Sequence, residues 1–459
     1  MRFDREKNFF LRSEQSVLCS RFGNAAAPCE STVRALKIIA LCSYVLMLAM
    51  QIRNIVVFQG SPTSDAARYV GDAFSNLEAG TWYPTERDFV GGGVAGTGLV
   101  NYFIFLLRMV PETKILYVGN LLLVQLMLFS TVYIAKQITQ SDTVGYITAS
   151  FFCFTGTYWA EVCVARTEIF FTALAFFALA LAVRGSTPCV ILSGAVLAYA
   201  QWARPLAIAF IVSIVWLFIR RADKFTSYVK LFSGFFAVVI ALTAFTYVNS
   251  GRAIYSPTIA DGNFLMGAHE DADGSYENTV FNEGKAGYIP PEERAEMTVE
   301  EINAVYKKAA TDWIKANPVK YLSLMPKKLF YFLATDTYSG DIYFDNKIQT
   351  AGRNYINSLM NIITGRGSRE LEFGDIAIMY TQAFYMVILA LFLAGVLHSM
   401  KNGYWRTMSF LYGIFLIGVA SVLYTVGGGR YHFPYLPVMI ITAAVFTDTV
   451  LVRKRKKFK

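Results

Sequence analysis

What most constrains this chain is the recurrence of long apolar runs. They lie at 35–58, 115–135, 143–160, 167–183, 188–203, 206–219, 229–248, 376–397, 407–426 and 435–452. A soluble core has no use for so many, whereas a hydrocarbon layer about 30 Å thick demands them. Within lipid every backbone N–H and C=O has to be paired inside its own segment. The expected fold is therefore an all-α polytopic membrane protein with about ten transmembrane helices. The chain has 459 residues, of which 55% are hydrophobic and 16% charged, which suits that class. A net charge of +9 could suggest nucleic acid. The basic residues instead gather at the ends of the apolar runs, most densely from Arg453 to Lys457, as the positive-inside rule expects, so no nucleic-acid partner is read. The six cysteines form no CxxC pair, so neither a disulfide framework nor a zinc cluster is expected.

Charge and parity give sidedness. Residues 1–34 form a basic tail expected in the cytoplasm, and 453–459 a second one. Between them lie an N-terminal membrane module (35–249), an extracytoplasmic loop with surface helices (250–375) and C-terminal membrane helices (376–452). Basic ends at Lys136, Arg184 and Arg220 to Lys224 fall inside only if residue 115 starts outside. The apolar stretch 94–110 then cannot cross, and it reads as an interfacial or re-entrant helix of the first outer loop, 59–114. Gln51, Arg53 and Asn54 close the first span and are expected to face the polar side. No inverted repeat of the transporter kind is visible.

On this topology the polar outliers collect on one side. Ser64 to Pro84 reads as a short helix capped by Ser64, with Asp65, Tyr69 and Asp72 on one face, Arg68 leaning towards Asp65, and Gly80 and Pro84 stopping it. Glu161, Arg166 and Glu168 lie at the next outer turn and Arg204 at the third. Lys327 and Lys328 lie on an amphipathic surface helix, 319–333. Arg430, Tyr431 and His432 lie at the last turn. Basic groups beside a carboxylate suit an anionic head group and a general base. Each has a simpler reading when taken alone. Asp65 serves as a helix cap, Arg166 and Glu168 neutralise one another, the lysines snorkel, and His269 and His432 lack metal-ligand spacing.

The motif Asp65-Ala66-Ala67-Arg68-Tyr69, with Ala79-Gly80, Trp82 and Pro84 after it, resembles the first outer loop of the C-type membrane glycosyltransferases (GT-C). The likeness is greatest to the protein O-mannosyltransferase and lipid A aminoarabinose transferase branch. Arg166-Thr167-Glu168, Gly262-Asn263-Phe264 with Gly267, Asn317-Pro318 with Tyr321, Lys327-Lys328-Leu329, and Arg430-Tyr431 with Pro434 follow in the family's order. Ala66 departs from the pattern, since the family commonly has Glu there. The resemblance implies a GT-C architecture and transfer of a sugar from a polyprenyl-phosphate donor to a hydroxyl of a glycan, lipid or protein. The site is on the outer face of a bacterial cytoplasmic membrane, and transfer inverts the sugar carbon. Asp65 is the implied base. Arg68, Tyr69, Glu168, Arg204, Lys327, Lys328, Arg430 and Tyr431 are the expected substrate-binding residues, membrane lipids are partners, and a divalent metal is compatible. Residues 255–287, rich in Gly, Asp and Glu, are expected to be a mobile lid over Asp65. The rival readings are a transporter or flippase for lipid-linked sugars, and a membrane scaffold or polymer ligase with another donor.

Overall fold

The computed structural model describes residues 29–90, 94–219, 221, 223–255, 261–343, 364–365 and 373–452. Residues 1–28 of the expected N-terminal tail, the whole expected tail 453–459, residues 256–260 of the expected lid and most of 344–372 lie outside the described residues; 30–34, expected in the tail, open the first helix.

Among the described residues the chain is all-α, with two isolated β-bridges, Val90–Thr298 and Ser275–Gly427. Seven helical segments are long and apolar enough to cross a membrane: Glu30–Val57, Thr113–Thr139, Thr167–Arg184, Lys224–Ser250, Phe373–Asn402, Trp405–Tyr424 and Gly429–Val450. This is a multi-pass membrane protein. The other three expected spans fall on shorter helices, Asp142–Phe154, Thr187–Ala203 and Ala207–Phe218. Thr97–Met109, at the stretch expected not to cross, has 13 residues. A helix of that length reaches roughly 20 Å, as do Asp142–Phe154 and Ala207–Phe218, so length alone does not set it apart from them.

The helix that starts at Asp142 ends at Phe154, inside the run 143–160. A one-turn helix at Thr157–Ala160, a 3-10 turn at Glu161–Cys163 and an extended stretch lead to Arg166. Buried irregular backbone survives only where protein satisfies its polar groups. Gln51 Nε2 donates to the Tyr158 carbonyl at 2.9 Å and Asn54 Nδ2 to that of Trp159 at 2.8 Å. Asn120 Nδ2 donates to the Val162 and Val164 carbonyls, both at 3.2 Å. Gln51 and Asn54, expected to face the polar side, are instead buried braces for this segment.

Close helix packing comes from small residues. The Thr187–Ala203 and Lys224–Ser250 helices meet at two glycines. A Cβ on Gly194 would come within 1.9 Å of the Leu231 carbonyl oxygen, and one on Gly234 within 1.9 Å of that of Ile191. Both contacts are backbone, which cannot rotate away. Gly194→Val is expected to destabilise by about 1–3 kcal/mol or more, whereas Gly71→Ala, with nothing nearby, should be neutral or stabilising. Thermal unfolding in detergent measures both, and equal midpoints would show that the two helices do not depend on this contact.

Side-chain bonds gather the helix ends into two layers. At one end Lys136 pairs with Asp142, Thr143 donates to Asp448, Arg221 donates to the Ala182 carbonyl and Lys230 to Thr187. Arg184, Lys224, Lys401 and Arg406 lie at helix ends of this same layer. The other end carries the braced 155–166 segment and the unit formed by 261–343. That unit has its own core, in which Phe264, Leu265, Met266 and Val280 meet Ile302, Tyr306 and Tyr321. The described part of the expected lid therefore packs into a core, because Phe264 to Ala268 supply the apolar contacts that its Gly-rich flanks conceal. It is pinned to the bundle by the Gly427 N–H donating to Gly274 O at 2.9 Å and by Phe264 stacked on Tyr424.

Candidate functional site

Asp65 opens the Asp65–Glu78 helix. Ser64 holds the N-cap position at φ 54, a region L-residues rarely adopt, and its hydroxyl makes no cap bond, contrary to expectation. Such backbone strain marks a position that the surroundings over-determine. Asp65 Oδ2 accepts a hydrogen bond from Arg430 Nη1 at 2.8 Å, across 365 positions of sequence. Arg430 comes from the 3-10 turn Gly429–Tyr435. Its Nη1 also meets the Tyr338 hydroxyl at 3.3 Å, and the rings of Tyr276, Tyr431 and Tyr338 surround its guanidinium at 5.2, 5.2 and 5.7 Å. The Arg430 side chain is 16% exposed and that of Asp65 40%, so the carboxylate is the part of the pair open to a ligand.

Glu168 and Arg204 form a second pair beside the first. Glu168 Oε1 accepts from Arg204 Nη1 at 2.8 Å, and the same nitrogen donates to Thr167 Oγ1 at 3.1 Å. Glu168 thus pairs with Arg204, not with its sequence neighbour Arg166. Tyr69 lies against Gly96 and faces the charges of Asp65, Glu168 and Arg204. Burial, with the two carboxylates adding to it, pushes its phenol up to about 12. The Tyr431 hydroxyl is buried beside Arg430.

Of the residues read from the sequence, the structure brings together Asp65, Tyr69, Glu168, Arg204, Arg430 and Tyr431. Three take other partners. Arg68 reaches Asp72, one turn on, at 3.8 Å rather than Asp65, and burial pushes Asp72 up to about 6. Lys327 is exposed beside Gly274. Lys328 is fully buried. Its Nζ donates to the Leu423 carbonyl at 3.2 Å over the Tyr321 ring at 4.5 Å, and burial lowers it to about 8. Lys328 is no snorkeler, and neither lysine hydrogen-bonds to or pairs with a member of the cluster.

A cleft behind Arg430 is lined by Thr157, Glu161, Arg166, Glu168, Asp336, Tyr338, Ser339 and Phe433. His432, expected to be structural or solvated, is fully buried here. Its Nδ1 faces the Phe332 carbonyl at 2.9 Å; a carbonyl only accepts, so Nδ1 carries a proton. Its Nε2 lies 3.1 Å from Asp336 Oδ1, and Asp336 Oδ2 accepts from Thr157 at 2.7 Å. Asp336, Tyr338 and Ser339 escaped the sequence reading. Their signal was the polar run Thr335 to Ser339 directly after the surface helix Pro318–Ala334.

A divalent metal does not fit this donor set. Among the described residues no group of three His, Cys, Asp or Glu side chains is placed to hold one. Asp65 and Glu168 are already engaged by guanidiniums. No protein-family model and no curated protein matches the chain.

Proposed function

We propose that this protein is a C-type membrane glycosyltransferase with ten membrane passages. It moves a sugar from a polyprenyl-phosphate carrier to a hydroxyl acceptor at the extracytoplasmic face of a bacterial cytoplasmic membrane. The observation that carries the reading is the Asp65–Arg430 pair: a half-open carboxylate, fixed at a strained helix start, bonded to a guanidinium boxed in by tyrosines. Sugar transfer from a phosphate needs a base for the acceptor proton and cations for the charge left on phosphate. Asp65 takes the proton as the acceptor oxygen attacks the sugar carbon. The carbon–oxygen bond to phosphate breaks with its electron pair going to the phosphate oxygen, which Arg430 pairs. One displacement inverts the sugar carbon. The Glu168–Arg204 pair holds Tyr69 and the helix start in register.

The assay supplies purified protein with labelled polyprenyl-phosphate sugars and envelope extract. Transfer that releases free polyprenyl phosphate is expected. Movement of the donor across vesicles without sugar transfer would favour the flippase. Sidedness is read by labelling Glu283→Cys and Lys401→Cys in a cysteine-free background with an impermeant reagent applied from outside. The first should react and the second should not; the reverse pattern would put the cluster on the wrong side for this donor.

A further inference from the structure

Arg166 and Glu161 have no part in the chemistry above, yet both are buried beside it, Arg166 at 2% and Glu161 at 3% exposure. Arg166 has no ion pair and no hydrogen-bond acceptor among the described residues; its Nε is orphaned, and its one close partner is the Tyr338 ring at 4.2 Å. A guanidinium has five donors, and burying it without an acceptor is costly. Among the described residues Ser339 is the only hydrogen-bond partner of the Glu161 carboxyl, at Oε2, and Oε1 has none there. The two groups line one cleft without pairing with each other. A buried cation and a buried carboxyl that stay apart across a shared space call for a ligand that satisfies both. Such a ligand accepts several hydrogen bonds from the guanidinium and exchanges a proton with the carboxyl. A phosphate does both, whereas sulfate is fully ionised and only accepts.

We propose that Arg166 and Glu161 form a phosphate subsite in which Arg166 holds the anion and Glu161 gives it a hydrogen bond and, as it leaves as a monoester, a proton. This rests on the transferase reading for its place in turnover, though not for its affinity. The carbon–oxygen bond breaks with its pair going to a phosphate oxygen, the Glu161 proton moves to a phosphate oxygen, and Glu161 recovers a proton from water once the monoester has left. Burial pushes Glu161 up to about 8, against the pull of its Ser339 bond, so it is a neutral acid at pH 7. The charged and titratable groups facing it are Arg166, Glu168 and Asp336, with Tyr158, Tyr338 and Arg430 around them. The cleft admits about one water molecule, so Tyr338 has to swing off Arg166 for a phosphate to enter.

The test is binding of inorganic phosphate, sulfate and farnesyl phosphate to the full chain in detergent from pH 6 to 9. Wild type should bind phosphate at least tenfold more tightly than sulfate at pH 9, where the ionised carboxyl repels sulfate but accepts from hydrogen phosphate. Arg166→Met should weaken both anions at least tenfold. Glu161→Gln should bind both alike at pH 9, and its sulfate affinity should no longer fall from pH 6 to 9. A tighter farnesyl phosphate identifies a lipid head group, and equal affinity identifies free phosphate. A wild-type sulfate affinity that does not fall from pH 6 to 9, or an unchanged Arg166→Met, would overturn the subsite. In turnover, wild-type kcat should fall as pH rises through about 8, and Glu161→Gln should flatten that limb. Phosphate binding without transfer would retain the subsite and remove the transferase; transfer with both variants indifferent would do the reverse.

Discussion

Asp65→Asn is expected to cut sugar transfer by about a hundredfold to ten-thousandfold, the usual contribution of a positioned general base. The amide keeps the size and the helix-start position of the carboxylate but cannot take a proton. Protein stability should change by no more than about 1 kcal/mol, because the pair with Arg430 is partly exposed and such pairs contribute little. Donor binding should persist or tighten, since Arg430 loses its carboxylate partner and is free for phosphate. A drop in kcat with donor affinity kept is therefore the signature. Loss of donor binding with a lowered unfolding midpoint would make Asp65 a structural residue. Unchanged transfer would end its assignment as base.

Arg204→Met should destabilise the protein by about 3–5 kcal/mol, because it leaves the Glu168 charge buried without its direct partner. Arg166 and Arg430 are the next charges near Glu168, so the loss should sit at the lower end of that range. Glu168→Gln alone should cost as much, by stranding Arg204. The double variant, which removes both charges, should recover most of the loss. That non-additivity separates a pair that holds the framework from a pair that binds substrate. If Arg204 contacts donor phosphate instead, Arg204→Met should raise the donor KM with little change in unfolding, and Glu168→Gln should not rescue it.

Composition and run length made the membrane class legible, and charge at the ends of runs made the two layers legible. What the sequence did not disclose follows one physical pattern. Side chains that satisfy backbone, such as Gln51, Asn54 and Asn120, look like ordinary polar interruptions until the carbonyls they meet are known, so the break after Phe154 was invisible. Partner choice was equally hidden. Arg68 with Asp72 and Glu168 with Arg204 depend on helix rotation and on a contact across 36 positions, and spacing alone cannot rank either above its rivals. Lys328 read as a surface cation because its helix is amphipathic, yet it lies on the side that docks against Leu423. Asp65 and Arg430 were each picked from an outer turn. That the two meet was not legible, since their placement on one side left open which cation faces which carboxylate.

That bond also fixes when the protein becomes competent during its manufacture. Its two ends are 365 residues apart in the chain, a distance that translation covers in roughly 20 to 70 seconds. Through that interval Asp65 has been made and Arg430 has not, so the acid group has no guanidinium opposite it. A ribosome that stalls, or a protease that clips the chain before its last pair of helices, leaves a chain that lacks Arg430 and therefore this bond. On the proposed function, such a half-made copy would carry the acid without the guanidinium that pairs the leaving phosphate, and would not spend the carrier lipid.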